Sequence, residues 1–345
     1  MDEVSPTMQE WRQLYTLMDR LKELAPWEWM DEMDLFGIQN PETGEVGFVS
    51  VMGALGEHYA VAVYLGEQGL AGFWNMQQAG PYLTPDLVLN TPQLQASFED
   101  RNTLHQKDRD VIKQLGLKYR GKQAWPQFQS YAPGMVPWYL SAAEARFLAH
   151  AVEQTLDVAA RLKSDPTLLA VRADDEDVYM VRVPTQKDGA WVWHDQWQPA
   201  PQPENRPVPV YMDRKALALL ESLPPTMGRI DLDFSWMPVP VLGKLPRPYY
   251  PYNLLIVEPA SGMILGNDTM LSEPAFDEMW GNMPVKVAQM LARLRLRPGI
   301  IRVRSESVAQ FIEPLADHLH IKIERVDELP ELENIQEMLT SFLMR

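Results

Sequence analysis

The chain has 345 residues, 46% of them hydrophobic, enough for two ordinary domains with cores of their own. Lys and Arg total 31 against 47 Asp and Glu, and the resulting net charge of −16 repels phosphate backbones at long range, which argues against a general nucleic-acid binder. Cysteine is absent, which excludes disulfides, zinc–thiolate sites, iron–sulfur clusters and cysteine nucleophiles.

The opening residues, Met1 to Pro6, are acidic and carry no apolar run, so no signal peptide is expected. No stretch of about 18 uncharged apolar residues occurs, so no membrane span is expected and the cytoplasm is the expected compartment. Trp11, Leu14, Tyr15, Met18 and Leu21 recur at helical spacing, and Pro26 sets the end of that helix near Ala25. A β-meander is expected next: Leu35 to Gln39, Val46 to Met52, Tyr59 to Leu65 and Leu70 to Trp74. Gly or Asn stands at each corner (Asn40 to Gly44, Gly53 to Gly56, Gly66 to Gly69), where hairpins need positive φ. Residues 75 to 95 show Pro-bounded turns without a period.

Lys107 to Lys122 holds six basic residues against Asp108 and Asp110 and reads as a solvated helix and turn. Trp125 to Trp138, punctuated by Pro126, Pro133 and Pro137, reads as an exposed aromatic loop. A helix follows from Ala142 to Leu162. Asp174 to Asp177 is an acidic turn before a hairpin of Val178 to Val183 and Trp191 to Trp197. Residues 198 to 209 have the proline-rich, polar composition of a semi-rigid connector. The expected organisation is therefore an α+β domain with an antiparallel meander over 1–197, the connector, and an α/β domain over 210–345.

The last third gives the clearest order of elements. Strands are expected at Arg229 to Ser235, Asn253 to Glu258 and Met263 to Asn267, then a helix from Val285 to Leu296. Strand Ile300 to Arg304, helix Glu306 to Leu319, strand Ile321 to Val326 and helix Glu331 to Leu343 follow. Within the helix from Glu306, Val308, Phe311, Ile312, Leu315 and Leu319 form the buried stripe. Pro314 removes an amide there and predicts a kink or break.

Three strands followed by alternating helices and strands is the layout of ribonuclease-H-like and integrase-like domains. Asp231 and Asp233 share one face of the first strand, where such enzymes place a first ligand for two divalent metals, Mg²⁺ or Mn²⁺. The second acid of that layout falls on Ser305, with Arg304 beside it and Glu306 opening the next helix. For the third acid the last helix offers Glu331, Glu333 and Glu337. Arginine beside a metal site competes for the carboxylates and serine cannot replace a charged ligand. Asp231 and Asp233 therefore read first as the solvent face of an edge strand. Asp231, Asp233, Glu306 and Glu333 form the catalytic set only in the alternative of a metal-dependent phosphodiesterase.

Lys286, Arg293, Arg295, Arg297, Arg302 and Arg304 lie together without an intervening acid. They read either as an anion or nucleic-acid groove or as partners for the acidic segment Glu324, Asp327, Glu328, Glu331 and Glu333, the latter preferred. The six histidines show no ligand spacing, Gly53 to Gly56 lacks the lysine and helix of a phosphate loop, and no serine sits in a G-x-S-x-G elbow.

Asn40-Pro41-Glu42-Thr43-Gly44, Ser50-Val51-Met52-Gly53, Gly56-Glu57, Val63 to Gly66, Trp125-Pro126 and Pro133-Gly134 resemble an uncharacterised bacterial domain. Leu255 to Glu258, Ser261-Gly262, Ile264-Leu265-Gly266 and Arg297-Pro298 resemble its companion. The resemblance covers nearly the whole chain and implies a two-domain family of unknown function and an architecture, with no chemistry attached. The expected function is thus that of a non-catalytic cytoplasmic binding or regulatory protein built on a degenerate ribonuclease-H-like scaffold. It needs no cofactor, and its expected partner is a protein, not nucleic acid or a membrane. Trp125, Tyr131, Trp138, Arg302 and Arg304 are the expected binding residues. The alternatives are the metal-dependent phosphodiesterase and a small-ligand sensor with a pocket between domains.

Overall fold

Thr7 starts the first helix, α1 (Met8–Leu24). Its hydroxyl accepts from the Glu10 amide at 3.3 Å, and Glu10 accepts from the Thr7 amide at 2.6 Å, so two orphan donors are satisfied at once. The helix ends where Ala25 turns left-handed, directly before Pro26. This is a computed structural model, and it describes residues 4–80, 83–170, 178–201, 208–243, 247–272 and 275–343. The chain divides into two compact units, Met1–Pro133 with Pro137–Glu204, and Gly134–Val136 with Asn205–Arg345. Both contain helices and a mixed sheet. The acidic turn at 174–177 lies outside the described residues, as do positions 202–207 of the expected connector.

In the first unit, strands β1 (Phe36–Gln39), β2 (Val46–Met52) and β3 (Ala60–Leu65) form the expected antiparallel meander. The next expected strand is instead a helix, α2 (Gly66–Ala79). Leu70 and Phe73 carry its apolar stripe, and the glycines read as a turn serve close packing: a Cβ on Gly69 would stand 2.6 Å from the Tyr64 carbonyl carbon. After a short helix α3 (Pro85–Leu89), β4 (Gln93–Glu99) returns to pair with β3. Helix α4 (Gln106–Gln114) follows, then β5 (Trp125–Tyr131), which corrects the expected loop over the first half of that segment. The long helix α5 (Ala142–Ser164) leads to the hairpin β6 (Val178–Lys187) and β7 (Ala190–Pro199).

The sheet order is β5-β4-β3-β2-β1-β6-β7, antiparallel throughout except where β1 meets β6. Strand alternation sorts its faces. Val49, Val51, Val61 and Val63 join α1 and α5 in the main core, while Phe48, Ala62 and Tyr64 pack with α2 on the other side.

The second unit opens with α6 (Arg214–Glu221), a helix the periodicity did not reveal, capped by Asp213. Strands β8 (Arg229–Trp236), β9 (Tyr252–Glu258) and β10 (Met263–Met270) precede α7 (Phe276–Leu294), β11 (Ile300–Val303), α8 (Glu306–Leu319), β12 (Lys322–Arg325) and α9 (Pro330–Leu343). Their order is β10-β9-β8-β11-β12, with β8, β11 and β12 parallel and β9 and β10 antiparallel. Ile230, Leu232, Phe234, Leu254, Ile256, Ile301 and Val303 meet α6, α7 and α8 on one face. Leu255 and Val257 meet Leu332 and Ile335 of α9 on the other.

Pro314 does not break α8, because its ring lies on the exposed side and the freed Gln310 carbonyl can take water. Residues 134–136 are built into this unit: Val136 donates to the Pro248 carbonyl and Tyr250 to that of Gly134, each at 3.0 Å. Gly134 has φ +73°, and a Cβ there would stand 2.4 Å from Ser272 Oγ, so only glycine fits.

Candidate functional site

Strand β8 alternates as expected and puts Asp231, Asp233 and Ser235 on one face, but that face is not at a solvent edge. β8 is the central strand, flanked by β9 and β11 and covered by α9, and the two acids are 1% and 4% exposed. Burying a carboxylate requires a partner. In parallel register, Arg302 of β11 stands opposite Asp231 and grips it bidentately, Nε to Oδ1 at 2.7 Å and Nη2 to Oδ2 at 2.8 Å. The carboxylate holds the Arg302 guanidinium above its ordinary pKa. Gln336, in the second turn of α9, donates through Nε2 to Asp233 at 2.5 Å and to Ser235 Oγ at 2.8 Å.

The other members of the alternative catalytic set are engaged as well. Arg304 donates to Glu333 Oε1 at 2.8 Å, and the same oxygen accepts from the Leu329 amide, holding the entry to α9. Glu306 pairs with Arg325 of β12. Ser305, at the position of the expected second acid, caps α8 by accepting from the Val308 amide at 3.3 Å. The four carboxylates Asp231, Asp233, Glu306 and Glu333 thus each serve a different structural bond. Among the described residues no group of three or more metal-ligating side chains converges. Three arginines, Arg302, Arg304 and Arg325, hold three of these acids, so the residues present do not fit a pair of divalent cations.

Four members of the basic run are held at separate points. Lys286 pairs with Asp268 at 3.0 Å, and Arg297 caps the end of α8 by donating to the Leu319 carbonyl. Arg304 finds the acidic C-terminal segment as expected, whereas Arg302 turns inward to Asp231.

The aromatic residues expected on an open loop are half-buried. Trp125 lies on β5 against the Tyr119 ring, 5.9 Å between centroids, with the Arg101 guanidinium 5.7 Å from its own ring. Tyr131 ends the same strand and donates to Gln95 at 3.1 Å. The Trp138 backbone pairs with Ser130 in both directions, so residue 138 extends the sheet edge. In the basic segment nearby, Asp108 is buried, not solvated. It caps α4 by accepting from the His105 amide, and its burial raises its carboxyl pKa.

Sequence reasoning missed one exposed surface. The last strand of the first sheet, β7, shows Trp191, Val192 and Trp197 to solvent at 41%, 37% and 47%. The signal was present in the tryptophan spacing of residues 191–197. It reads as ordinary strand alternation until the strand is known to be an edge.

Residues 11–182 match the model of a domain of unknown function (DUF7309), and residues 216–340 match that of a second (DUF6930). Together the two matches span most of the chain and support an uncharacterised two-domain family. No curated protein matches the chain. No helix among the described residues is long and apolar enough to cross a membrane.

Proposed function

We propose that this two-domain chain is a non-catalytic binding protein whose second unit is a degenerate ribonuclease-H-like scaffold. The strand order β10-β9-β8-β11-β12, with the antiparallel meander on one side of β8 and the parallel strands on the other, supports the ribonuclease-H-like part. One observation carries the loss of catalysis: the bidentate bond of Arg302 to Asp231, which puts a permanent cation where a metal would need that carboxylate. A protein partner is favoured over nucleic acid, because the net charge is −16 and Lys286, Arg302 and Arg304 of the second unit are each paired with an acid of that unit. The exposed aromatic edge of β7 suits such a partner better than Trp125, Tyr131 and Trp138. An extended segment can add a strand there and bury Trp191 and Trp197.

The test is to incubate the pure chain with single- and double-stranded DNA and RNA in Mg²⁺ or Mn²⁺. The expected result is no cleavage. Cleavage that disappears in Asp231→Asn or Asp233→Asn would overturn the scaffold reading and establish the metal-dependent phosphodiesterase.

A further inference from the structure

Beside the Asp233–Gln336 bond, at the end of β8, lies a cleft of about 270 Å³ open to solvent on one side. Ser235, Asn253, Gln336 and Thr340 supply its polar groups, and Trp236, Met237, Pro238 and Leu339 its apolar ones. Strand register explains the polar row. Asn253 of β9 pairs with Ser235 of β8, and both lie on the face that α9 covers, the face of Asp233 and Leu255. A side-chain amide on that face is expected to be bonded. Asn253 is only 5% exposed, its side chain makes no hydrogen bond to any described residue, and what its amide can reach is the cleft that it lines.

The chemistry of the neighbours is fixed by their hydrogen bonds. Gln336 turns its amide nitrogen to Asp233, and that nitrogen also serves Ser235. Gln336 Oε1 is left as an acceptor without a partner among the described residues. Ser235 Oγ already accepts from Gln336 and retains its own proton to donate. The cleft therefore offers an amide with one donor and one acceptor edge, a carbonyl acceptor and two hydroxyls, with no uncommitted charge. The volume is just below the range of about 300–1,000 Å³ common for drug-sized ligands, which suits a single ring.

We infer that this cleft is a binding site for a small neutral ring carrying a lactam edge, an adjacent N–H and C=O, of the kind found in pyrimidine bases, with Asn253 pairing that edge. The site goes beyond the scaffold reading and is separable from it. Binding of a base says nothing about cleavage, and its failure leaves the cleavage result standing.

The experiment is ligand-observed saturation-transfer NMR on the full chain, with uracil at millimolar concentration as the probe. 1,3-Dimethyluracil, which has the same ring and no N–H donor, is the control. Uracil should receive saturation and dimethyluracil should not. Asn253→Leu should weaken uracil binding by about tenfold or more, the equivalent of one lost hydrogen bond in a desolvated site. Thr340→Val, a half-buried helix position, should weaken it less, and it decides the matter if Asn253→Leu fails to fold. No transfer to uracil, equal transfer to both rings, or transfer unchanged in the folded variants would overturn the site.

Discussion

Each unit solves the same electrostatic problem with an arginine, at different depths. In the first, Arg182 of β6 reaches Gln154 at 2.9 Å, Asp195 of β7 at 2.5 Å and Asp157 at 3.2 Å, while Arg161 of α5 joins Asp195 from the helix side. There the arginine is the buried member, and its acids keep 32% and 47% of their side-chain surface in water. In the second, Asp231 is the buried member at 1%, and Arg302 retains 20%. The network of the first unit ties a helix to a hairpin near the sheet's edge. The pair of the second neutralises an acid at the sheet's centre. A carboxylate that can still reach water tolerates losing its partner; one sealed beneath α9 does not.

The comparison is tested most sharply by Arg302→Ala, which leaves Asp231 buried and unpaired. A loss of about 3–5 kcal/mol is expected in urea unfolding followed through the second unit. The double change Asp231→Leu with Arg302→Leu should recover most of it, because the desolvation cost disappears with both charges. A small loss in the single variant would mean that the acid is not sealed. Arg182→Met should cost less, about 1.5–3 kcal/mol by the same measurement, because Asp157 and Asp195 can take water in exchange. If the two arginine variants were equally destabilised, depth of burial would not be the deciding variable.

Phe311→Ala measures the packing on the opposite face of the same sheet, between α7 and α8. Its ring lies 5.2 Å from that of Trp280 but is only half-buried, unlike Ile312 and Leu315 on the same helix. A fully buried phenylalanine would cost about 3–5 kcal/mol, so about 1–2 kcal/mol is expected in chemical denaturation.

The smallest effect belongs to His150 of α5, its ring tilted by 54° against that of Trp193, with Nδ1 buried and without a partner among the described residues. Burial lowers its pKa below the ordinary 6.5, outweighing the nearby Glu153 and Glu42, while Arg146 adds to the lowering. The unfolded chain then takes up a proton near pH 6.5 that the folded chain refuses. This contribution is intact above that pH and is lost as pH falls from 6.5 toward the lowered value. Melting temperature should therefore drop more between pH 7.5 and pH 5.5 in the wild type than in His150→Phe. Parallel curves would show that the ring protonates freely in the fold.

Much of the fold was legible where one face of an element carries a clear period. Trp11 to Leu21 gave α1, Val46 to Met52 gave β2, and the alternation around β8 assigned both carboxylates to one side. Short segments were not legible. Leu70 to Trp74 has the apolar density of a strand and is a helix, because glycines at 69 and 72 let it approach Tyr64 and Thr91. β4 and α6 escaped because a few turns or residues of period cannot be told from loop without their neighbours.

The candidate site divides in the same way. From Arg302-Val303-Arg304-Ser305 the sequence alone determined that two arginines share a strand face with no acid between them, because strand alternation is a local property of the backbone. Which carboxylate each arginine meets was decided only by tertiary structure. β11 lies beside β8 in a register that sets Arg302 against Asp231, α9 brings Glu333 to Arg304, and the same helix turns an apparently solvent-facing acid into a buried one. Strand order and helix placement follow from packing between segments far apart in sequence, and no local pattern of residues encodes them.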